Sequence, residues 1–317
     1  MSGNKKSSSC SFRTSIGGQA LIEGILMRGP KKQAIVCRTR EGLVEKVEDI
    51  RVTKEKYPIL GLPFLRGCSI FLSSMINGMK ALTYSAELIP EDEQEEPDKL
   101  DKWIMEHFSA EKAQKLIIGV AVVMGIALSV FLFFFLPTFL VGFIRPLSRR
   151  FFWRNLAEGL VRVMILIGYM WLCTRVEDVK RLFAYHGAEH KTIYCYERGK
   201  ELTVDNVRPE SRFHPRCGTS FLLVVVLVSV LVNAFVHISH TFARFGVHLL
   251  LLPLVVGISY EINRWCGGHD NWLSAVLSAP GKWLQHITTN EPDDGMIECA
   301  IRALELVLPE IKGEDAW

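Results

Sequence analysis

Four stretches of apolar residues dominate the hydropathy pattern of the chain. Residues 116–144, LIIGVAVVMGIALSVFLFFFLPTFLVGFI, carry no charge over 29 positions. At ~1.5 Å rise per residue such a helix exceeds the ~30 Å hydrocarbon core of a bilayer, so it has to tilt or break, with Pro137 as the expected break point. Residues 156–174 form a second run and residues 219–236 (TSFLLVVVLVSVLVNAFV) a third. A fourth, residues 247–260, is short and carries Pro253 and Gly257, which fits either a span or a re-entrant segment. The pattern predicts a mainly α, polytopic helical membrane protein with about four transmembrane helices.

Outside these runs the periodicity changes. Residues 1–15 are rich in Ser and Lys and read as a disordered tail. Residues 16–60 read as a small β-rich N-terminal cytosolic unit: QALIEGILMR and QAIVCRTREG are strand-like, with Gly17-Gly18, Gly29-Pro30 and Glu41-Gly42 as punctuation. Over 61–90, Leu65, Cys68, Leu72, Met75, Met79 and Leu82 recur at helical spacing, while Arg66 and Lys80 sit too deep for a span. This predicts an amphipathic helix resting on the membrane or on the bundle. Residues 91–115 begin as an acidic linker, EDEQEEPDKLD, and lead into the bundle of 116–262, whose loop 175–218 is cytosolic. The C-terminal segment 263–317 holds a second amphipathic helix: Asp293 or Asp294 is the N-cap, and Met296, Ala300, Leu304, Val307 and Leu308 form a stripe closed by Pro309. That stripe is expected to pack on residues 16–85.

The chemistry concentrates after the second run. The segment RVEDVKRLFAYHGAEHKTIYCYE is expected to continue that helix, with Val176, Val179, Phe183, His186, His190 and Ile193 on one face. It spells H-x-x-E-H, which in some zinc peptidases supplies two metal ligands and a general base. Histidines at i, i+4 project side by side and can chelate one ion. Gly187 between them costs the helix ~1 kcal/mol against alanine. Further ligands come from elsewhere: His214 and Cys217, in FHPRCG just before the third run, have ordinary ligand spacing, and a thiolate suits zinc. The expected set is His186, His190, His214 and Cys217 around Zn²⁺, with Glu189 as the catalytic base. Without a metal, the two histidines would only terminate a helix and bond to backbone. Glu158 and Arg162 are expected to pair at i, i+4, although a transport path uses such residues too. Glu261 fits a further metal ligand but reads rather as an interface residue; His237 and His240 also have ligand spacing, and a solvated helix end explains them equally well.

Composition and charge refine this reading. A net charge of +3, with acids and bases interleaved, excludes nucleic acid as a partner and leaves the lipid bilayer and a cytosolic protein as partners; oligomeric state is open. Lys99, Lys102, Lys112 and Lys115 flank the first run, and nine basic residues fall between Arg175 and Arg216. The positive-inside rule then places both termini in the cytoplasm of a cell-membrane, multi-pass protein, against the opposing pull of Arg145, Arg149, Arg150 and Arg154. The eight cysteines include no C-x-x-C, as expected on a reducing side without disulfides.

Six segments carry a resemblance: GGQALIEGILMRGP, LRGCSIFLSSMINGMKALTYSA, FAYHGAEHKTIYCYE, HPRCGTSFL, ISYEI and PGKWLQHITTNEPDDGMIECAI. They resemble the motifs of the YqhQ-like family, bacterial multi-pass membrane proteins of unknown function labelled predicted metal-dependent enzymes. The likeness covers nearly the whole chain after residue 15. It implies importance for the GGQALIEGILMRGP and TTNEP segments, whose spacing carries no chemistry by itself. Two functions fit. One is a metal-dependent hydrolase with its site at the cytosolic membrane face. The other is a non-enzymatic membrane factor, its metal structural or absent, whose cytosolic segments dock a partner. A transporter ranks third.

Overall fold

Strand-forming residues near the N-terminus build a four-stranded antiparallel sheet in the sequential order β1-β2-β3-β4: β1 (Gly17–Leu21), β2 (Gly24–Arg28), β3 (Lys32–Thr39) and β4 (Gly42–Asp49). In this computed structural model the described residues are 12–50, 58–89, 103, 107, 110–144, 151–238, 240–311 and 313–317. The expectations for most of the N-terminal tail, for the acidic stretch 91–101 and for the arginines at 145–150 lie outside them. QALIEGILMR is two strands, not one. The chain reverses at Ile22-Glu23, where Glu23 adopts a left-handed φ of 49°, and no Asn-Gly or Asp-Gly pair signals that turn.

The chain divides into two compact units, each assembled from separated segments. The first comprises Met1–Leu88, Met170–Val225 and Val256–Trp317. Strand β2 and the middle of β3 are buried on both faces of the sheet, which is why ILM and AIVC read as unbroken apolar runs. Ile25, Met27, Ala34 and Val36 face one core, shared with α4 (Glu177–Glu197) and α8 (Asp294–Glu305). Leu21, Leu26, Ile35 and Cys37 face another, closed by Ala81 and Tyr84 of α1 (Leu65–Glu87). Asp293 caps α8 by accepting from the Met296 N–H at 2.8 Å, and Met296, Ala300 and Leu304 are buried as the stripe predicts. Helix α1 buries Gly67, Gly78, Ala81 and Ser85 and exposes Leu72, Met75 and Met79, an amphipathic face of the predicted kind. Its Arg66 pairs with Glu261.

The second unit, Ile89–Tyr169 and Val226–Val255, holds the long apolar helix Leu116–Gly142. Helix α2 (Ala110–Val130) does not break at Pro137; it passes through a π-helical turn, Phe131–Phe135, and continues as Leu136–Gly142. Proline leaves the carbonyl four residues back, that of Phe133, without its helical donor. Arg162 Nε supplies one at 2.9 Å.

Among the described residues, three helices are long and apolar enough to cross a membrane: Leu116–Gly142, Phe151–Cys173 and Ala243–Gly268. The 219–236 run, expected as a span, forms only the 17-residue α5 (Gly218–Ala234). The 247–260 run belongs to the 28-residue α6 (Thr241–Gly268), which is continuous through Pro253. Helix α3 (Phe151–Cys173) does not run on to residue 197. It ends before Val176, whose extended ψ of 129° starts α4 afresh, with Glu177 and Asp178 placed on the new helix's positive end.

Candidate functional site

The H-x-x-E-H stretch lies at the middle of α4, within the first unit. Its two histidine rings stand one turn apart, centroids 4.4 Å from each other. Each Nδ1 meets a backbone carbonyl: that of Thr288 at 2.8 Å for His186, and that of Arg212 for His190. A carbonyl only accepts, so each Nδ1 carries the hydrogen, and in the neutral imidazole Nε2 is the atom left with a lone pair. His186 Nε2 faces Cys217 Sγ at 3.1 Å. His190 Nε2 is buried with no hydrogen-bond partner among the described residues. One donor atom each from His186, His190 and Cys217 lies within 4.8 Å of the other two.

His214 is not in this group. Its ring is 5.6 Å from that of His190, but its Nε2 turns toward Glu197 Oε2 at 3.6 Å and its Nδ1 toward the Arg216 N–H at 3.4 Å. Glu189 stands beside the donors and is held by β1: Oε1 accepts from the Gly18 N–H at 2.8 Å, while Oε2 is buried and unpartnered among the described residues. The donors and Glu189 line a cleft of about 470 Å³, together with Gly18 and Gln19 of β1, Asn77 of α1 and Trp317.

Electrostatics sort these groups. Burial opposes a thiolate on Cys217, but the two histidines outweigh it and hold the sulfur well below the usual thiol range. Burial likewise opposes charge on His186; the Cys217 sulfur overcomes it and moves the imidazole up to about 9. His214 moves the other way, down to about 4, through burial and the charges of His190 and Arg216. Burial pushes the Glu189 carboxyl up, partly offset by His190 and His186. A Cys217 thiolate facing a His186 imidazolium, a second imidazole, and a carboxyl with raised basicity stand in one cleft; a cation entering between them would take the place of the His186 Nε2 proton.

The two unexplained motifs form the scaffold of this arrangement. Gly18 is required because a Cβ there would sit 2.7 Å from the Leu26 carbonyl oxygen and 3.0 Å from the Glu189 carboxyl carbon. Gly187 lets the 288–292 segment cross α4, since a Cβ would come 2.1 Å from the Asn290 carbonyl oxygen. That segment is then fastened on both sides: Asn290 N–H donates to Phe183 O at 2.8 Å, and Glu291 pairs with Lys191 at 2.6 Å. Gln285 locks the loop before α5, with its amide bonded to both the N–H and the carbonyl of His214 at 2.7 Å. Sequence spacing could not reveal Gly18, Thr288 or Arg212, because each acts through a main-chain atom.

The chain belongs to the family described as "Protein of unknown function (DUF1385)", whose characteristic sequence matches residues 62–310. Among its relatives is the "Uncharacterized protein YqhQ" of Bacillus subtilis (strain 168), 33% identical over 294 residues, which cover 92% of each chain. No solved structure matches the chain.

Proposed function

We propose that this protein is a membrane-associated, metal-dependent hydrolase with Zn²⁺ held by His186, His190 and Cys217. The observation that supports it best is the buried Nε2 of His190, without a hydrogen-bond partner among the described residues, in a histidine that has a donor atom within 4.8 Å of donor atoms of both His186 and Cys217. Nδ1–H bonds to main-chain carbonyls are the usual means of fixing the tautomer and direction of a ligating histidine. Two imidazoles and a thiolate form a borderline-soft set suited to zinc, and three protein donors are the number catalytic sites use. Zinc, when bound, supplies Lewis acidity at the point of convergence. Glu189 supplies the base: the Gly18 N–H fixes one carboxylate oxygen, and Oε2 remains to take a proton from a water in the cleft and return it to a leaving group. His214, kept neutral and turned to Glu197, braces the ring of His190 rather than acting as a ligand. The site is read as lying at the cytosolic membrane face, as the charge pattern of 175–216 implies.

The test is metal analysis of the purified full chain in detergent, with Co²⁺ exchanged in as a spectroscopic probe. One ion per chain is expected in the wild type, in Glu189→Gln and in His214→Ala. His190→Ala should lose the metal, and Cys217→Ser should keep cobalt weakly while losing the sulfur-to-cobalt charge-transfer absorption. Loss of metal in His214→Ala would favour a closed four-ligand staple in a non-enzymatic factor. A metal-free wild type leaves the Cys217–His186 pair on its own and defeats the proposal.

A further inference from the structure

The second unit holds a cluster of charge unrelated to the site above. Glu158 is buried at 1% side-chain exposure, and three guanidiniums converge on it: Arg244 at 2.9 Å, Arg154 at 3.2 Å and Arg162 at 3.9 Å. Thr138 joins them, donating to Glu158 at 3.4 Å and accepting from Arg244 at 2.9 Å. Arg154 is the outermost at 15% exposure, while Arg162 and Arg244 are enclosed at 8% and 4%. The two inner arginines against one carboxylate leave one positive charge uncompensated, in a setting where an unpaired charge is costly.

Among the described residues no other carboxylate pairs with these arginines. Glu158 is the only acidic residue from 112 to 176, and there is none from 211 to 260. Helix polarity aggravates the excess. Arg154 and Arg244 lie in the first turns of α3 and α6, the positive ends of both macrodipoles. Of the second unit's buried polar atoms without a partner among the described residues, two stand at this cluster: Arg244 Nη1 and His248 Nε2. Both belong to side chains lining one small cavity of about 20 Å³, shared with Thr138, Arg162 and the rings of Phe134, Phe135 and Phe245. Phe134 and Phe245 meet edge to face there, and aromatic edges carry partial positive charge. The space exceeds the ~10–15 Å³ needed for one water but is too small for a tetrahedral oxyanion.

We propose that this cavity binds a single monovalent anion of halide size, chloride in ordinary solution, held by Arg244, Arg162 and His248. The anion completes the neutralisation that Glu158 begins and ties α2, α3 and α6 together. The purified full chain tests this in detergent at constant ionic strength, with chloride replaced stepwise by gluconate. A saturable rise in Tm with chloride, about 3 °C or more, is expected from a ligand that binds only the folded state. Chloride-35 NMR should show line broadening by the protein that bromide competes away. His248→Glu places a carboxylate in the cavity and should abolish both the broadening and the Tm response. Equal Tm in chloride and gluconate, or broadening that persists in a folded His248→Glu protein, overturns the proposal. If His248→Glu does not fold, the wild-type titration and the bromide competition decide. A Tm that responds to anionic lipid but not to chloride assigns the charge to a headgroup and overturns it equally.

Discussion

Gly187 separates the two histidines at a point where helix propensity alone favours alanine by ~1 kcal/mol. The close crossing of Asn290 reverses that preference, so Gly187→Ala should destabilise the protein by about 1–3 kcal/mol, as overpacking does. Denaturant unfolding measures it, and an unchanged or improved stability would show that the 288–292 segment yields freely. Gly18→Ala should leave the His186–His190–Cys217 group able to take up metal while displacing Glu189, since only the latter depends on the Gly18 N–H. Metal content at wild-type level alongside altered protection of that amide in hydrogen exchange is the expected pair of results. The H-x-x-E-H spelling, the i, i+4 geometry and the nearby thiol were all legible in the sequence. That Cys217, and not His214, converges with the two α4 histidines was not, because Gln285, Glu197 and Arg216 turn the 213–217 loop, and those bonds are long-range.

At the level of elements, apolar periodicity was informative where it was regular. The α8 stripe and its aspartate cap were readable, and the structure docks that helix on β2 and β3. Asp293→Ala should cost about 1 kcal/mol, the usual value of an N-cap, as a drop in Tm. Deleting 293–317 should uncover Ile25, Met27, Ala34 and Val36. Faster proteolysis of the sheet is the expected result, and unchanged resistance would mean that α8 contributes nothing to holding it. Pro280 masked α7 (Trp272–Thr288), which is nonetheless helical and capped by an Asn271–Ser274 box. The Ile22-Glu23 reversal was hidden too, because Glu23 has no turn-forming side chain and its left-handed backbone is imposed by the pairing of β1 with β2.

For the whole molecule, the apolar runs and the distribution of Lys and Arg predict a topology that reporter fusions can check. Fusions at Trp317 and near Lys200 should both report the cytoplasm. An external signal from either would reverse the orientation. Chelator treatment of the intact protein should lower its Tm if metal joins α4 to the loop before α5, and added Zn²⁺ should restore it. The sequence by itself determined the apolar helices, the β-rich start, the amphipathic helices and the family, because each is a local pattern of side-chain polarity or a set of contiguous motifs. Tertiary structure alone decided the rest. It joined the sheet to segments more than a hundred residues away in one unit, and linked Glu189 to Gly18 across 171 positions and His186 to Thr288 across 102. It also gathered three arginines around one glutamate. Main-chain donors and acceptors are the same at every position, so sequence spacing cannot say which of them a buried side chain will find.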